Sequence, residues 1–170
     1  MGTILLDTDQ TFTELIKTVL LFDEDQLNAI PFEGSWTAGQ IVQHLILANS
    51  GFMEVMQGPV KEPEREPDQL AGKIRKDFLN FEVKMESPEF ILPLAISYSK
   101  SRQLGTLENI KSKLQHLIST MELDRVCLTF ELPGYGFLTR FEAVYFVNYH
   151  TQRHTHQLKN SYAHLLKMES

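Results

Sequence analysis

The chain has 170 residues, of which 42% are hydrophobic, so it is long enough for one domain with a single buried core and too short for two large ones. Its 16 Lys and Arg against 22 Asp and Glu give a net charge of −6, which argues against a surface that binds nucleic acid or anionic lipid. The one cysteine cannot form an intramolecular disulfide, so we expect a reducing, cytoplasmic setting.

The first helix is predicted over residues 11–22, where apolar residues recur at intervals of three and four: Phe12, Leu15, Ile16, Val19 and Leu20. The second helix is predicted to begin after Thr37, because Thr37 and Gln40 form the pattern of a capping box. It should end near Gln57, since Gly58 and Pro59 follow.

Membrane attachment is not expected. The uncharged stretch over residues 34–53 contains several polar side chains, which favour a helix of a soluble protein over a membrane span. The first seven residues lack the basic region of an export signal and the pattern of a lipid-anchor site.

The middle of the chain is predicted to cross from one end of the fold to the other. Residues 61–68 combine two prolines with charges of both signs, which is typical of a solvated connection. Residues 69–84 return to a helical pattern, with Leu70, Ile74, Phe78 and Phe81 on one side. Prolines at 88 and 93 then favour a long crossover over residues 87–99.

Two more long helices are predicted in the last third of the chain. One opens at Gly105 and Thr106 and carries the apolar stripe Leu107, Ile110, Leu114, Leu117, Ile118 and Met121. Residues 126–137 combine a β-prone run with Pro-Gly-Tyr-Gly, which predicts a loop or short hairpin. Residues 139–167 contain neither Pro nor Gly and should form one long helix. Four main helices with a long crossover between the second and third predict an all-α fold, a helical bundle, in a single domain over residues 1–170.

Four of the six histidines lie in the last predicted helix. Seven residues of this helix follow the spacing of an inward-facing seam: Ala143, Val147, His150, His154, Leu158, Ser161 and Leu165. Residues four apart lie about 6 Å apart along the axis and roughly 40° around it, so His150 and His154 can direct both rings at one point.

The other histidines separate by position. His156 lies roughly 200° around the helix from His154, and His164 lies about 21 Å along it from His150. His116 should be exposed, opposite its apolar stripe, which leaves His44, at the edge of the buried face of the second helix, as the third imidazole. Three neutral imidazoles suit zinc, nickel or a related divalent ion and leave a coordination position open. The alternative is that buried histidines are ordinary core residues.

Other polar residues have open interpretations. Asn49, Asn148 and Gln152 could orient the imidazole rings or could be ordinary helix amides. No HExxH motif or other fixed carboxylate supplies a general base, and the conceivable candidates, each more typical of surface or packing, are Glu14, Glu142 and Tyr135. Cys127 could be a nucleophile, but it lies in an apolar run, where a buried inert thiol is expected. Trp36 could line the entrance of the site, but an aromatic anchor at a helix start is the expected role.

Two segments carry a resemblance. Residues 34–45, GSWTAGQIVQHL, hold Trp36 eight residues before His44, and residues 149–158, YHTQRHTHQL, hold His150 and His154 followed by Thr-His-Gln-Leu. With Asp-Gln-Leu at 25–27 they resemble the DinB-like superfamily, in particular its YfiT-like branch. The resemblance implies an antiparallel four-helix bundle, often dimeric, with His44, His150 and His154 as ligands of nickel or zinc.

The resemblance also implies a range of activities. Similar proteins include metal-dependent hydrolases and enzymes that transfer or isomerise with low-molecular-weight thiols such as bacillithiol or mycothiol. We therefore expect a metal-dependent hydrolase or thiol S-transferase that acts on a small molecule, with a homodimer and without nucleic-acid or membrane partners. The alternative is a non-enzymic bundle whose ion stabilises the fold or senses a ligand, and the fold alone does not decide between them.

Overall fold

The computed structural model describes residues 2–170, except for the side chain of residue 169; Met1, with which the predicted domain begins, lies outside the described residues. Four long helices form the body of the molecule: α1 (Gly2–Leu20), α3 (Ala38–Gln57), α5 (Lys100–Thr120) and α6 (Arg140–Glu169). Two shorter helices are α2 (Glu24–Asn28) and α4 (Ala71–Phe78). The prediction of a mostly helical fold is confirmed.

The four long helices enclose one core. α1 and α3 each contact both α5 and α6. Each helix contributes fully buried apolar side chains to the shared interior, among them Phe12, Leu45, Leu114 and Val147. Over the described residues, none of the helices is long and apolar enough to cross a membrane.

A small sheet corrects the all-α prediction. The strands β1 (Val60–Lys61), β2 (Val126–Leu132) and β3 (Gly136–Thr139) pair antiparallel in the order β1-β2-β3. The hairpin of β2 and β3 follows the sequence prediction, and Gly134 and Gly136 supply the positive φ values of its turn. β1 was not predicted, because two residues that pair with a distant strand carry no periodic signal of their own.

The starts of α3 and α6 lie where they were predicted, α3 from its capping box and α6 from the absence of Pro and Gly after residue 139. Thr37 accepts from the Gln40 amide at the start of α3, and Gln40 Oε1 accepts from the Thr37 amide. The start of α6 has the same reciprocal pair between Thr139 and Glu142. α2 also begins with a capping box, between Asp23 and Gln26, but this short helix was not predicted.

The start of α1 was predicted nine residues too late. The buried side of α1 includes Thr8, Thr11 and Thr18 among apolar residues, so a purely apolar pattern misses its first half. The Thr8 and Thr18 hydroxyls donate to carbonyls four residues earlier, which satisfies them inside the core. Leu20, expected on the buried side, is exposed.

α5 also begins earlier than predicted, at Lys100 rather than residue 105, with Ser99 as its N-cap. Gly105 lies within the helix, where nothing approaches within 4 Å of the position its Cβ would take. The glycine therefore serves no turn there, and the prediction that it opened the helix was wrong.

The helix predicted over residues 69–84 is confirmed only in its middle, as α4. Beyond Phe78, the guanidinium of Arg153 on α6 donates to the carbonyls of Phe78, Asn80 and Val83. These carbonyls accept from a distant side chain, and the chain continues without α-helix as far as residue 99. We refer to residues 79–99, which include a 3₁₀ turn at Glu89–Ile91, as the crossover.

Candidate metal centre

The structure brings the three predicted histidines together. His44 lies near the start of α3, and His150 and His154 lie one turn apart on α6, which packs against α3. The His150 Nε2 atom is 3.2 Å from His44 Nε2 and 3.1 Å from His154 Nε2. All three ring nitrogens lie within 4.8 Å of one another, so this histidine trio could hold a metal ion.

The trio is more deeply buried than the sequence indicated. His44 is 1% exposed and His150 is 7% exposed, while His154 is half-buried. His44 was expected at the edge of the buried face of its helix, but its ring is fully covered, because the crossover lies over this side of α3 and contacts the ring through Ile91.

Two hydrogen bonds set the tautomers of the outer rings. His44 Nδ1–H donates to the main-chain carbonyl of Ile91 at 2.9 Å, and His154 Nδ1–H donates to Gln157 Oε1 at 2.8 Å. A neutral imidazole carries one N–H, so both rings present an unprotonated Nε2 to His150. These partners orient the rings as outer-shell groups do in protein metal sites.

The arrangement fits a divalent cation. His150 Nε2 faces two lone pairs and has at most one proton to share between them, whereas a cation can accept all three nitrogens. Two nitrogens at about 2.0–2.1 Å from one tetrahedral ion are about 3.3–3.4 Å apart, close to the separations seen here. No carboxylate and no thiol belongs to the group, which suits zinc or nickel better than magnesium or calcium.

Burial keeps the imidazoles neutral, as metal ligation requires. Removal from water lowers the pKa of His44, and it lowers the pKa of His150 well below its usual range. The pKa of His154 falls to about 3, first because of burial and then because of the neighbouring His44. A cation would therefore meet three lone pairs without displacing protons near neutral pH.

Aromatic rings surround the trio. Phe146 stacks on His150 with ring centroids 5.3 Å apart, and Trp36 lies 5.3 Å from the ring of His44. Trp36 also packs against the core, as expected of a helix-start anchor. These rings present apolar faces to His44 and His150.

The trio lines a cavity of about 1030 Å³, bounded by α3, the hairpin, α6 and the crossover. Arg153, one residue before His154, also lines this cavity, and its three bonds to carbonyls fix the start of the crossover. The imidazoles therefore border a space that a small molecule can enter.

The three amides proposed from the sequence as orienting groups do not contact the imidazoles. Asn49 donates to Thr151, Asn148 donates to Thr8 and Gln152 donates to Thr11. They join helices to one another and serve the packing of the bundle.

The three conceivable general bases also lie outside the trio's hydrogen bonds. Glu14 pairs with Lys159 on the surface. The buried Glu142 caps α6 and accepts two bonds from Arg65, at 2.6 and 2.7 Å. Tyr135 lines the cavity, but its hydroxyl donates to Asp77 at 2.6 Å, and burial raises its pKa, which makes it a poor acid.

The remaining residues are where the sequence placed them. Cys127 is buried, and burial raises the pKa of its thiol to about 11, so it is protonated and unreactive. His116, His156 and His164 are exposed and lie outside the trio. His156 stacks on Phe81 of the crossover.

Three groups that shape the centre were not predicted from the sequence: the Ile91 carbonyl, Gln157 and Arg153. A main-chain carbonyl in an irregular segment has no sequence signature. Gln157 follows His154 by three residues, a spacing that places two side chains on one helix face and was available as a signal. Arg153 gave no such signal, since its partners are distant carbonyls.

Comparison with known proteins adds one finding. The family model described as the DinB superfamily matches residues 7–158, a span that includes all members of the trio. No significant match was found among curated proteins or solved structures.

Proposed function

The chain belongs to the DinB superfamily, and from this premise we propose that it is a divalent-metal enzyme, of the YfiT-like type, that transfers a low-molecular-weight thiol to a small electrophile. The four long helices are proposed to be arranged as an antiparallel bundle, which agrees with the contacts of α1 and α3 with both α5 and α6. His44, His150 and His154 would hold the ion through their Nε2 atoms.

One observation carries the proposal: the trio borders a large cavity. A structural zinc site is normally closed by four protein ligands, whereas a catalytic site has three and leaves a position for water or substrate. Three imidazoles at the wall of a cavity of about 1030 Å³ match the second pattern. This favours an enzyme over a purely structural metal site.

Thiol transfer is favoured because it requires little acid–base chemistry from the protein. Among the described residues, the hydrogen-bond partners of the three imidazoles are a main-chain carbonyl, an amide side chain and one another. No carboxylate is among them. A bound divalent ion supplies the activation, since it lowers the pKa of a thiol or water that it holds.

The transfer balances without a further reactant. The thiol loses its proton to solvent, and its sulfur forms a bond to the electrophilic carbon. The bond from that carbon to the leaving group breaks, and the leaving group departs with the electron pair. The products are a thioether, a proton and the free leaving group.

The chain's own residues prepare the site. Ile91 and Gln157 hold the outer rings with Nε2 free, and Arg153 fixes the wall that faces them. Hydrolysis is the second candidate, because Glu54, Glu82 and Glu86 line the same cavity and a carboxylate there could serve as a base.

The test combines metal content with a thiol assay on protein purified without a histidine tag. After dialysis, wild type and His116→Ala should retain about one zinc or nickel per chain by elemental analysis, and His150→Ala should retain little. Thiol consumption with monochlorobimane, supplied with bacillithiol or mycothiol, should follow the metal content.

Each other outcome has a defined meaning. Equal metal content in His150→Ala and His116→Ala would show that the trio is not the metal site. Metal-dependent activity on esters or amides without added thiol would select hydrolysis. Retained metal with neither activity would favour the non-enzymic alternative.

A further inference from the structure

A continuous row of aromatic rings leads away from the histidine trio. Phe146 stacks on His150, and Phe52 lies against Phe146 with centroids 4.4 Å apart. Phe130 of β2 follows at 5.8 Å from Phe52, and Phe90 of the crossover follows at 6.1 Å from Phe130. We refer to Phe146, Phe52, Phe130 and Phe90 as the aromatic row; all four line the cavity.

Exposure increases along the row. Phe146 and Phe52 are 6% and 9% exposed, whereas Phe90, at the far end, is 69% exposed. An exposed phenylalanine on the wall of a concave cavity gains free energy when an apolar ligand covers it. The charged residues of the cavity wall on α3 and the crossover, Glu54, Glu82, Lys84 and Glu86, are themselves exposed. The aromatic row therefore gives an apolar strip from the crossover to the trio, within a cavity that charged residues also line.

Arg153 is the arginine that lines this cavity among the described residues, and its terminal nitrogens are already bonded to the main chain. The guanidinium of Arg153 uses Nη1 for the carbonyls of Phe78 and Asn80 and Nη2 for that of Val83. A guanidinium committed to the main chain cannot also present both terminal nitrogens to a carboxylate or phosphate. The terminal nitrogens of Arg153 are thus occupied by the crossover, whereas the rings of the aromatic row remain available to a ligand.

We infer that the electrophile has an apolar aryl or alkyl body that lies along the aromatic row, with its reactive carbon at the trio. This inference rests on the proposed thiol transfer for the reaction, while the binding of an apolar body rests on the cavity alone. The volume of about 1030 Å³ lies just above the usual range for ligand sites, roughly 300–1,000 Å³. A large apolar substrate fits it better than a small polar one.

Two positions on the crossover provide a matched test. Phe90 and Leu94 are each 69% exposed, but only Phe90 lines the cavity. The probe is N-phenyl-1-naphthylamine, a neutral compound that fluoresces in apolar surroundings. Phe90→Glu should weaken its binding about tenfold or more, because the contact with one phenylalanine is lost and a charge is introduced. Leu94→Glu should bind it as wild type does.

Turnover gives a second readout. With bacillithiol as the thiol, kcat/KM should be measured for 1-chloro-2,4-dinitrobenzene, which has an aryl body, and for iodoacetamide, which has none. The ratio of the first to the second should fall about tenfold in Phe90→Glu and stay constant in Leu94→Glu. An unchanged ratio in Phe90→Glu would overturn the inference.

The outcomes separate this inference from the proposed function. Chelator-treated wild type should still bind the probe. If the protein shows no thiol-dependent turnover but Phe90→Glu weakens probe binding, the proposed transfer is refuted and the apolar binding site is retained. If the protein shows thiol-dependent turnover but Phe90→Glu and Leu94→Glu bind the probe equally, the transfer is retained and the apolar binding site is refuted. Binding in the second cavity of about 620 Å³, between α1 and α6, would also give equal values. Probe binding that weakens as protein concentration rises would assign the row to a second copy of the chain and overturn the inference.

Discussion

The hydrogen bonds made by Nδ1 of His44 and of His154 decide what the trio can bind. His44 and His154 both direct an N–H away from the cluster, to Ile91 and Gln157, and this leaves their Nε2 lone pairs facing His150. The acceptor at Ile91 is main chain and cannot be removed by substitution. Gln157 is a side chain, so its contribution can be measured directly.

Gln157→Leu should lower the affinity for zinc or nickel about 10–100-fold, because His154 loses the acceptor that fixes its tautomer and orientation. Competition with a chromophoric chelator would measure the affinity. Gln152→Leu is the matched control, since Gln152 lies on the same helix but donates to Thr11. Equal losses in the two variants would refute the orienting role.

The lowered pKa values of the trio predict a pH dependence for the metal-free protein. An unfolded histidine takes up a proton below about pH 6.5, whereas the folded trio stays neutral to lower pH. The unfolded state then binds more protons, so the free energy of unfolding should fall as pH drops from 6.5 towards 3. Above pH 6.5 the trio should contribute no slope.

Urea unfolding with excess chelator at pH 7.5, 6.0 and 5.0 would measure this dependence. His150→Leu should show a shallower fall than wild type, since one of the three imidazoles with a lowered pKa is gone. Identical slopes in the two proteins would contradict the assignment of the pH dependence to the trio.

At the scale of elements, the start of α6 is joined to the connection before α4 by a buried carboxylate. Glu142 is fully buried and accepts from Arg65, from the Leu70 amide and from the Thr139 amide. Arg65 also donates to the carbonyl of Phe137 on β3. One ion pair thus holds a loop, a strand and two helix starts together.

Arg65→Ala should reduce the free energy of unfolding by about 2–3 kcal/mol, because Glu142 would remain buried without its charged partner, and Arg65 is partly exposed, which moderates the cost. Lys61→Ala, which breaks an exposed pair with Glu64 in the same connection, should cost at most about 1 kcal/mol. Urea denaturation would compare them, and similar losses would show that burial of Glu142 contributes little.

The elements differ in how far the sequence determines them. The start of α3 depends on a capping box between residues three apart and was predicted from it, whereas α2 begins with the same motif and was not predicted. β1 depends on pairing with Val126 and Cys127, and the end of α4 depends on Arg153. These partners are distant in sequence, and neither feature was predicted. The same division holds in the site, where the seam of α6 indicated His150 and His154 but nothing local indicated Ile91.

At the scale of the molecule, a metal would join two helices that are far apart in sequence. His44 and His150 are separated by 106 residues, and their convergence exists only in the folded chain. An ion bound by both stabilises the folded state by mass action, about 2.7 kcal/mol at a concentration 100 times its Kd.

Zinc or nickel added to chelator-treated protein should therefore raise the Tm of wild type and of His116→Ala. The rise should largely disappear in His44→Ala, which retains only the pair on α6. Scanning calorimetry would measure it, and an undiminished rise in His44→Ala would show that the pair alone holds the ion.

α6 sets the distance between the histidine trio and the crossover across the cavity. His150, Arg153 and His154 lie within little more than one helical turn, and one turn rises about 5.4 Å. The arginine that holds the crossover and two histidines of the trio therefore lie on one short segment of α6. An insertion of one residue after His150 would rotate the following side chains by about 100° around the helix axis. It would move His154 away from the trio and Arg153 away from the crossover at the same time. The distance between the two histidines and the start of the crossover is consequently set by the geometry of α6. It is maintained as long as the guanidinium of Arg153 stays bonded to the crossover.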